Sequence, residues 1–461
     1  ALLALLWGLF MLRGSVFAHV KWFSDFNFLT PPLSLGAIVT PTYIGLVILS
    51  TVVIAGMVLV DRRLDGLKWY RKINDWLTVR EPLSVTIMRV AMAAVLLISW
   101  ASDAVLTPEL TSDLWPLIWL QFVAAILLLF PQTTSIAGAS LLVIYVGSIF
   151  EFGLFHMLDY MHYIGIGIFL LVSQLNELRW RSLGLPVLYA TVGFSLIWLG
   201  YEKLFYPSWS LYLLEQNPSL VLGLPPDFFL QGAAFVEISL GFLLLIGLLE
   251  RPLAALITLV FFTTTLIFGK LEVIGHTPLH AALIVFLFSG AGTVYKPPMA
   301  IHKQLTWRVA FAAVNFVLIV ALFAVLYSWS AHRQYEIALS NAQNGTHGMK
   351  MVDLTDAETI PQFTTIEVEK ESPTSYNLHV EIENWTFTPE LVGLETINNQ
   401  GHAHVFVDGL KVGRMYGNWF HLGHLTPGEH RVVVTLNGND HSDFVVKGKV
   451  IGAETSITVT E

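Results

Sequence analysis

The 461-residue chain reads as a polytopic α-helical membrane protein with two repeated four-helix units, followed by a C-terminal extracytoplasmic β-sandwich. Three observations predict this class. Hydrophobic residues make up 54% of the sequence and charged residues 13%, far from the average of soluble domains, and the mean hydropathy is +0.64. Apolar runs of about 20 residues, long enough to cross a bilayer, recur up to position 330. Beyond Ser328 they give way to short alternating stretches separated by turn residues.

The elements follow in order. Segment 1–18 is apolar and ends Gly14-Ser15-Val16-Phe17-Ala18, small residues of the kind a signal peptidase reads. It is expected to be an uncleaved anchor helix. Cleavage would instead free His19, whose amine and imidazole form a chelate suited to copper, so His19 is a candidate N-terminal ligand. Segment 19–83 holds an outer loop, a transmembrane helix near 41–60 and a basic loop. Units 84–178 and 179–293 each carry four apolar runs: 84–102, 115–130, 134–152 and 160–175, then 185–203, 227–249, 252–269 and 278–293. Segment 294–330 supplies a loop and a last helix at 308–330, 331–365 is a linker, and 366–461 is the β domain.

Charge orients these spans. Arg62, Arg63, Lys68, Arg71, Lys72, Arg80 and Arg89 flank one loop, and Arg179, Arg181, Arg251, Lys296, Lys303 and Arg308 mark every second loop after it. Alternate loops keep little beyond Lys21, Lys203 and Lys270. The positive-inside bias therefore places the basic loops in the cytoplasm, and 19–40, 103–114, 204–226, 270–277 and the tail outside. In a bacterium this means the inner (cytoplasmic) membrane, with the C-terminal domain in the periplasm.

Residues 1–330 hold 17 Lys+Arg and 17 Asp+Glu, whereas 331–461 hold 8 and 17, so the tail carries the whole net charge of -9. No polybasic strip exists, which excludes nucleic acid as a partner; the lipid bilayer is the partner that composition demands. With Cys 0 there is no disulfide, thiolate metal site or c-type haem attachment, and a soft-metal site must use His and Met. No nucleotide loop or nucleophile triad is present either, so independent catalysis is not expected.

Stretches Arg89 to Ser173 and Leu188 to Gly290 align as an internal repeat. Gln121 falls opposite Glu237, His162 opposite His280, and Asp103 near Glu202. The second stretch, through Gly193-Phe194-Ser195-Leu196-Ile197-Trp198-Leu199-Gly200-Tyr201-Glu202-Lys203-Leu204, then Glu237 to Leu249 and Glu250-Arg251, resembles the DoxX family of small four-helix membrane proteins. Members of that family occur as subunits or neighbours of quinone-linked oxidoreductases, including thiosulfate:quinone oxidoreductase. The resemblance thus implies another membrane protein or redox complex as partner, and quinone as a ligand. The first stretch departs from the pattern, with Gln121 for the acid and no Glu-Lys pair, so only the second is expected to keep a functional polar cluster.

Ionisable groups at membrane depth are costly and mark functional paths by default, which singles out Glu202, Glu237, His276 and His280. Glu202 with Lys203 and Lys270 with Glu272 read equally as interfacial ion pairs that snorkel to water. His156, Asp159 and His162 have ligand-like spacing on one helical face, and a hydrogen-bonded pair at the helix entrance explains them more simply.

In the tail, alternation at 376–382, 404–407, 431–436 and 454–459 signals strands, with Asp408-Gly409, Pro427-Gly428 and Asn437-Gly438 as turns. The frame Gly401-His402-Ala403-His404, Arg414-Met415-Tyr416-Gly417, Trp419-Phe420-His421, Pro427-Gly428-Glu429-His430 and Asn439-Asp440-His441 is similar to periplasmic cupredoxin-like modules. His402 and His404 share one strand face. His421 and His441 would complete a tetragonal or tetrahedral site with Met415 as a soft axial ligand, while His424 and His430 look like surface or turn residues. A solvated, hydrogen-bonded histidine face is the competing reading. Upstream, His347, Met349 and Met351 alternate in a linker, a pattern suited to Cu(I), which ranks copper above zinc.

Two function classes result. In the first, a periplasmic copper-binding domain captures, stores or delivers the ion to a membrane partner. In the second, the chain is a DoxX-type membrane subunit of a quinone-linked oxidoreductase complex.

Overall fold

The computed structural model describes residues 28, 30–112, 114–216, 221, 223–268, 270–290, 297–343, 351–371, 375–391, 394, 396–408, 410–425, 428–440 and 442–459. Two compact units are formed, chiefly by Leu33–Ser330 and by Ala331–Glu461.

The first unit is helical. Helix α1 (Pro41–Gly66) starts where Thr40 Oγ1 accepts from Tyr43 N at 3.2 Å, with Pro41 pre-set for the first turn. After the single residue Leu67 comes α2 (Lys68–Thr78), then α3 (Ser84–Trp100), α4 (Trp115–Leu129) and α5 (Thr134–Phe152). Gly153, at φ 81, stops α5 in a conformation that favours glycine. The helical segment Leu154–Tyr160 then meets α6 (His162–Val172) at 61°. The second half contains α7 (Gly184–Phe205), α8 (Pro207–Gln216), α9 (Pro226–Ile246), α10 (Glu250–Phe268) and α11 (Lys270–Ser289). Last comes α12 (Leu305–Gln343).

Among the described residues, six helices are long and apolar enough to cross a membrane, and the bent pair through α6 adds a seventh if taken as one span. The chain is an integral membrane protein. Ten spans were expected from the apolar runs. The difference lies partly in α4 and in the apolar part of α11, Val273–Ser289, which are shorter than the hydrocarbon core requires.

Helices α3, α4, α5 and α6 pack in a ring, as do α7, α9, α10 and α11; α6 against α7 and α3 against α11 join the two. Association within lipid depends on close backbone approach, because lipid tails are as apolar as leucine. The α7–α9 contact uses that device: a Cβ on Gly193 would lie 2.7 Å from the Gly241 carbonyl oxygen, and one on Gly241 would lie 2.5 Å from that of Gly193.

The loop after α3, expected outside the membrane, folds back into the protein. Ala104, Val105, Leu106 and Leu110 are buried, and Ala104 bridges to Thr111. Gln121 of α4 makes this possible by satisfying the loop's backbone. Its Oε1 accepts from Leu106 N at 2.5 Å, and its Nε2 donates to Ala104 O at 2.8 Å and Leu96 O at 3.2 Å. Leu106 adopts φ 65, a genuine outlier for a bulky residue, and its carbonyl accepts from Tyr163 Oη at 2.9 Å.

The second unit holds two sheets. Strands β2 (Gln362–Lys370), β3 (Ser375–Glu383) and β7 (Trp419–His424) form one. The other has the order β1 (Met351–Asp353), β9 (Asp443–Val446), β8 (Gly428–Asn437), β5 (Gln400–Val407), β4 (Thr386–Phe387). To it are added β6 (Leu410–Met415) on β5, β10 (Lys449–Val450) on β9 and β11 (Gly452–Val459) on β8. Tyr376, Leu378 and Val380 from the first sheet share a core with Ala403, Val405, Val407, Val432, Val434, Leu436 and Phe444 from the second. A linker was expected from 331, but α12 continues to Gln343. The stretch Ala331-His332-Arg333-Gln334-Tyr335-Glu336-Ile337-Ala338-Leu339 is polar enough to look like a linker, yet rich in strong helix formers.

Candidate functional site

The membrane unit gathers acids, imidazoles and phenols from both of its halves. The bent segment Leu154–Tyr160 turns His156, Asp159 and Tyr160 into the protein, where all three are buried. The buried loop brings Glu109 to them: His156 Nε2 lies 3.3 Å from Glu109 Oε1, and Tyr160 Oη donates to Glu109 Oε2. His162, at the start of α6, faces α7, with its Nδ1 3.4 Å from Ser195 Oγ and its backbone N–H donating to the same oxygen at 3.2 Å.

From the second half, α7 supplies Glu202, 1% exposed; Asp159 of the first half is 3% exposed. Glu202, Asp159 and Tyr206 all lie within electrostatic reach of the buried Tyr327 hydroxyl on α12. The Tyr327 ring is caged by Trp198 at 4.6 Å, Phe205 at 5.1 Å and Phe155 at 5.5 Å between centroids. His276 of α11 is within electrostatic reach of His162 and stacks on Phe261 at 4.6 Å, while His280 meets the same ring edge-on at 5.8 Å. Two buried carboxyls within electrostatic reach of a buried phenol are costly in a low-dielectric interior unless protonated or hydrogen-bonded. Such a cluster suits proton exchange and the holding of a polar headgroup with an apolar body.

Glu237 does not join it. Lys203 Nζ stands 2.8 Å from Glu237 Oε2, so the cation that the sequence assigned to Glu202 serves Glu237 instead. The positions that the sequence aligned as a repeat differ in environment too: Asp103 is exposed where Glu202 is buried, and Gln121 is a backbone clamp where Glu237 is an ion-pair partner. The side chains of Lys270 and Glu272 lie outside the described residues. Glu109, Tyr160, Ser195, Tyr206 and Tyr327 were not singled out from sequence. A tyrosine inside the last apolar run was the one available signal.

In the β unit, His402 and His404 do share a face, and their Nε2 atoms are 3.0 Å apart, both residues being buried. Their neighbours across β8 are Asn437 and Thr435, and Asn437 Nδ2 donates to Asp443 Oδ1 at 2.5 Å. Among the described residues, the other expected ligands are not brought to this pair. Met415 pairs with Ala403 and sits in the hydrophobic core, because alternation along β5 puts Ala403 on the face opposite His402 and His404. His421 belongs to the other sheet, where its exposed ring bonds Asn377 Oδ1 at 3.0 Å and Glu371 Oε2 at 3.3 Å. Met351 is exposed in β1, in register with Asp443. His19, His347, Met349, His441 and the side chain of His424 lie outside the described residues. No group of three or more His, Asp or Glu positioned for a metal occurs among the described residues.

His430, expected as a turn residue, is a buried partner of Asp408: Nδ1 to Oδ2 is 2.6 Å, and Arg431 N donates to Asp408 Oδ1 at 2.9 Å. Burial alone would raise the Asp408 pKa; the bonds from His430 and Arg431, with the charge on His430, outweigh it and hold the carboxyl below its ordinary range.

Residues 187–270, from within α7 through α10 to the first residue of α11, match the DoxX family. This segment is a DoxX-like membrane domain. No curated protein and no solved structure matches the chain.

Proposed function

We propose that the chain is a DoxX-type membrane subunit of a quinone-linked redox assembly, with the cluster around Tyr327 binding the quinone headgroup and exchanging its protons. The observation that carries this reading is the burial of Asp159 and Glu202 within electrostatic reach of the Tyr327 hydroxyl, whose own ring is caged by Trp198, Phe205 and Phe155. A quinone headgroup offers two oxygens for donors such as tyrosine and protonated carboxyl, and its flat ring suits aromatic walls. The ring-wise packing of the two helix sets supports an internal duplication in which the polar sites have diverged. The basic-loop pattern supports placement in a bacterial inner membrane with the β unit in the periplasm. Organic extraction of the detergent-purified protein tests the proposal. Quinone is expected in the wild type and reduced in Glu202→Gln and Asp159→Asn; a wild type free of quinone and unable to bind it in titration overturns it.

One observation favours a second reading. Two imidazole Nε2 atoms 3.0 Å apart are spaced as adjacent ligands of a single ion at about 2 Å from each, with an angle near 95° at the metal. That angle suits a tetragonal Cu(II) site better than a linear one. The β unit would then be a cupredoxin-like sandwich that binds copper through His402 and His404, with His441 as a further ligand and zinc as the competitor. Copper that copurifies with the wild type and is lost in His402→Ala plus His404→Ala is expected; equal metal content in both sinks it.

A further inference from the structure

We infer that α2 is a binding surface for anionic phospholipid, lying along the membrane boundary with one face in the headgroup layer. The helix begins one residue after α1, where a membrane-crossing segment ends. Three sides of α2 face three different surroundings.

One side is tied to the bundle. The Arg251 guanidinium donates to Asn74 O at 3.1 Å and Thr78 Oγ1 at 2.7 Å, and also to Leu287 O at 2.9 Å and Phe288 O at 2.8 Å near the end of α11. This clamp fixes the rotation of α2 about its own axis. A second side carries Trp69, Ile73 and Trp76, spaced i, i+4 and i+7, with exposures of 57%, 47% and 57%. No residue of α2 is buried, so its apolar stripe stays largely exposed within the unit. The third side carries Lys68, Arg71 and Lys72 against a single acid, Asp75. Arg80, just beyond the helix, sets its guanidinium 3.5 Å from the centre of the Trp76 ring.

Charge decides the occupant. A hydrophobic protein partner would leave three cations beside the stripe unanswered, whereas an anionic bilayer surface takes the tryptophans at headgroup depth and the cations above them. Lysine and arginine stems are long enough to cover apolar surface while their heads reach phosphate.

The cysteine-free sequence provides the test, because Ile73→Cys then carries the only thiol. The full chain, labelled there with an environment-sensitive fluorophore, is reconstituted in phosphatidylcholine vesicles with and without phosphatidylglycerol. A label at Asp75→Cys is the control. The position 73 label is expected to shift its emission to the blue, and nitroxide lipids should quench it several-fold more when the nitroxide is on phosphatidylglycerol. The Lys68→Gln, Arg71→Gln, Lys72→Gln variant is expected to lose that preference while keeping its elution profile. Water-like emission at position 73 equal to that at 75, or equal quenching by both lipids, overturns the inference; a soluble protein partner would give that first result.

Discussion

Lys203 and Glu237 join α7 to α9 through a contact of 2.8 Å, and the residue before that lysine, Glu202, is buried in the interior. Neighbours in sequence thus have opposite roles. The pair is partly exposed, at 15% and 31% for the two side chains, so it is worth less than a fully buried one. Lys203→Met is expected to destabilise the bundle by about 1–2 kcal/mol. Adding Glu237→Gln should recover part of the loss, as read by thermal melting in detergent; additive losses would show that the two residues do not interact.

Gln121→Leu removes three hydrogen bonds and strands the Leu106 N–H in an apolar site. The cost is expected at about 2–4 kcal/mol. Faster proteolysis within residues 103–112 would accompany it, because the clamp holds that loop in place; a digestion pattern like the wild type's would contradict the assignment.

Gly241→Val forces α7 and α9 apart at a point where backbone meets backbone. A drop in melting temperature is expected, larger than for Gly232→Val on α9, where a Cβ meets nothing within 4 Å. Equal effects would remove the contact from the list of determinants.

Asp408 has its pKa depressed in the folded β unit by His430 and Arg431 N–H. A carboxyl of this kind stabilises above its unfolded pKa, and the contribution disappears as pH falls through the lower folded value. The acid limb of the unfolding profile should therefore be shallower in Asp408→Asn, with the two proteins converging at low pH. Parallel profiles down to the lowest pH would refute the linkage.

The broad architecture was legible in sequence because apolar length and period are local signals: α1, α3, α5, α7 and α9 lie on apolar runs, and the β region begins after the last one. The polar cluster was legible only in part. Glu202 stood out as an acid in an apolar setting, but Glu109 reaches His156 across 47 positions through a loop that doubles back into the protein, which no periodicity announces. His156, Asp159 and His162 were read as a helix-entrance pair because the bend at residue 161 cannot be seen in composition. In the tail, the alternation that set His402 beside His404 also sent Met415 the other way, once the β5–β6 register was known. His421 was misjudged for a different reason: sequence gives strands, not the sheet each one joins.

The glycine seam between α7 and α9 limits how the membrane unit can vary in sequence. With backbone close to backbone at Gly193 and Gly241, any side chain at either position would meet the other helix's carbonyl, so the present spacing of α7 and α9 requires glycine at both. The bent stretch 154–160 has no such seam: its buried His156, Asp159 and Tyr160 pack through side chains, so substitutions there change side-chain contacts and not a backbone spacing.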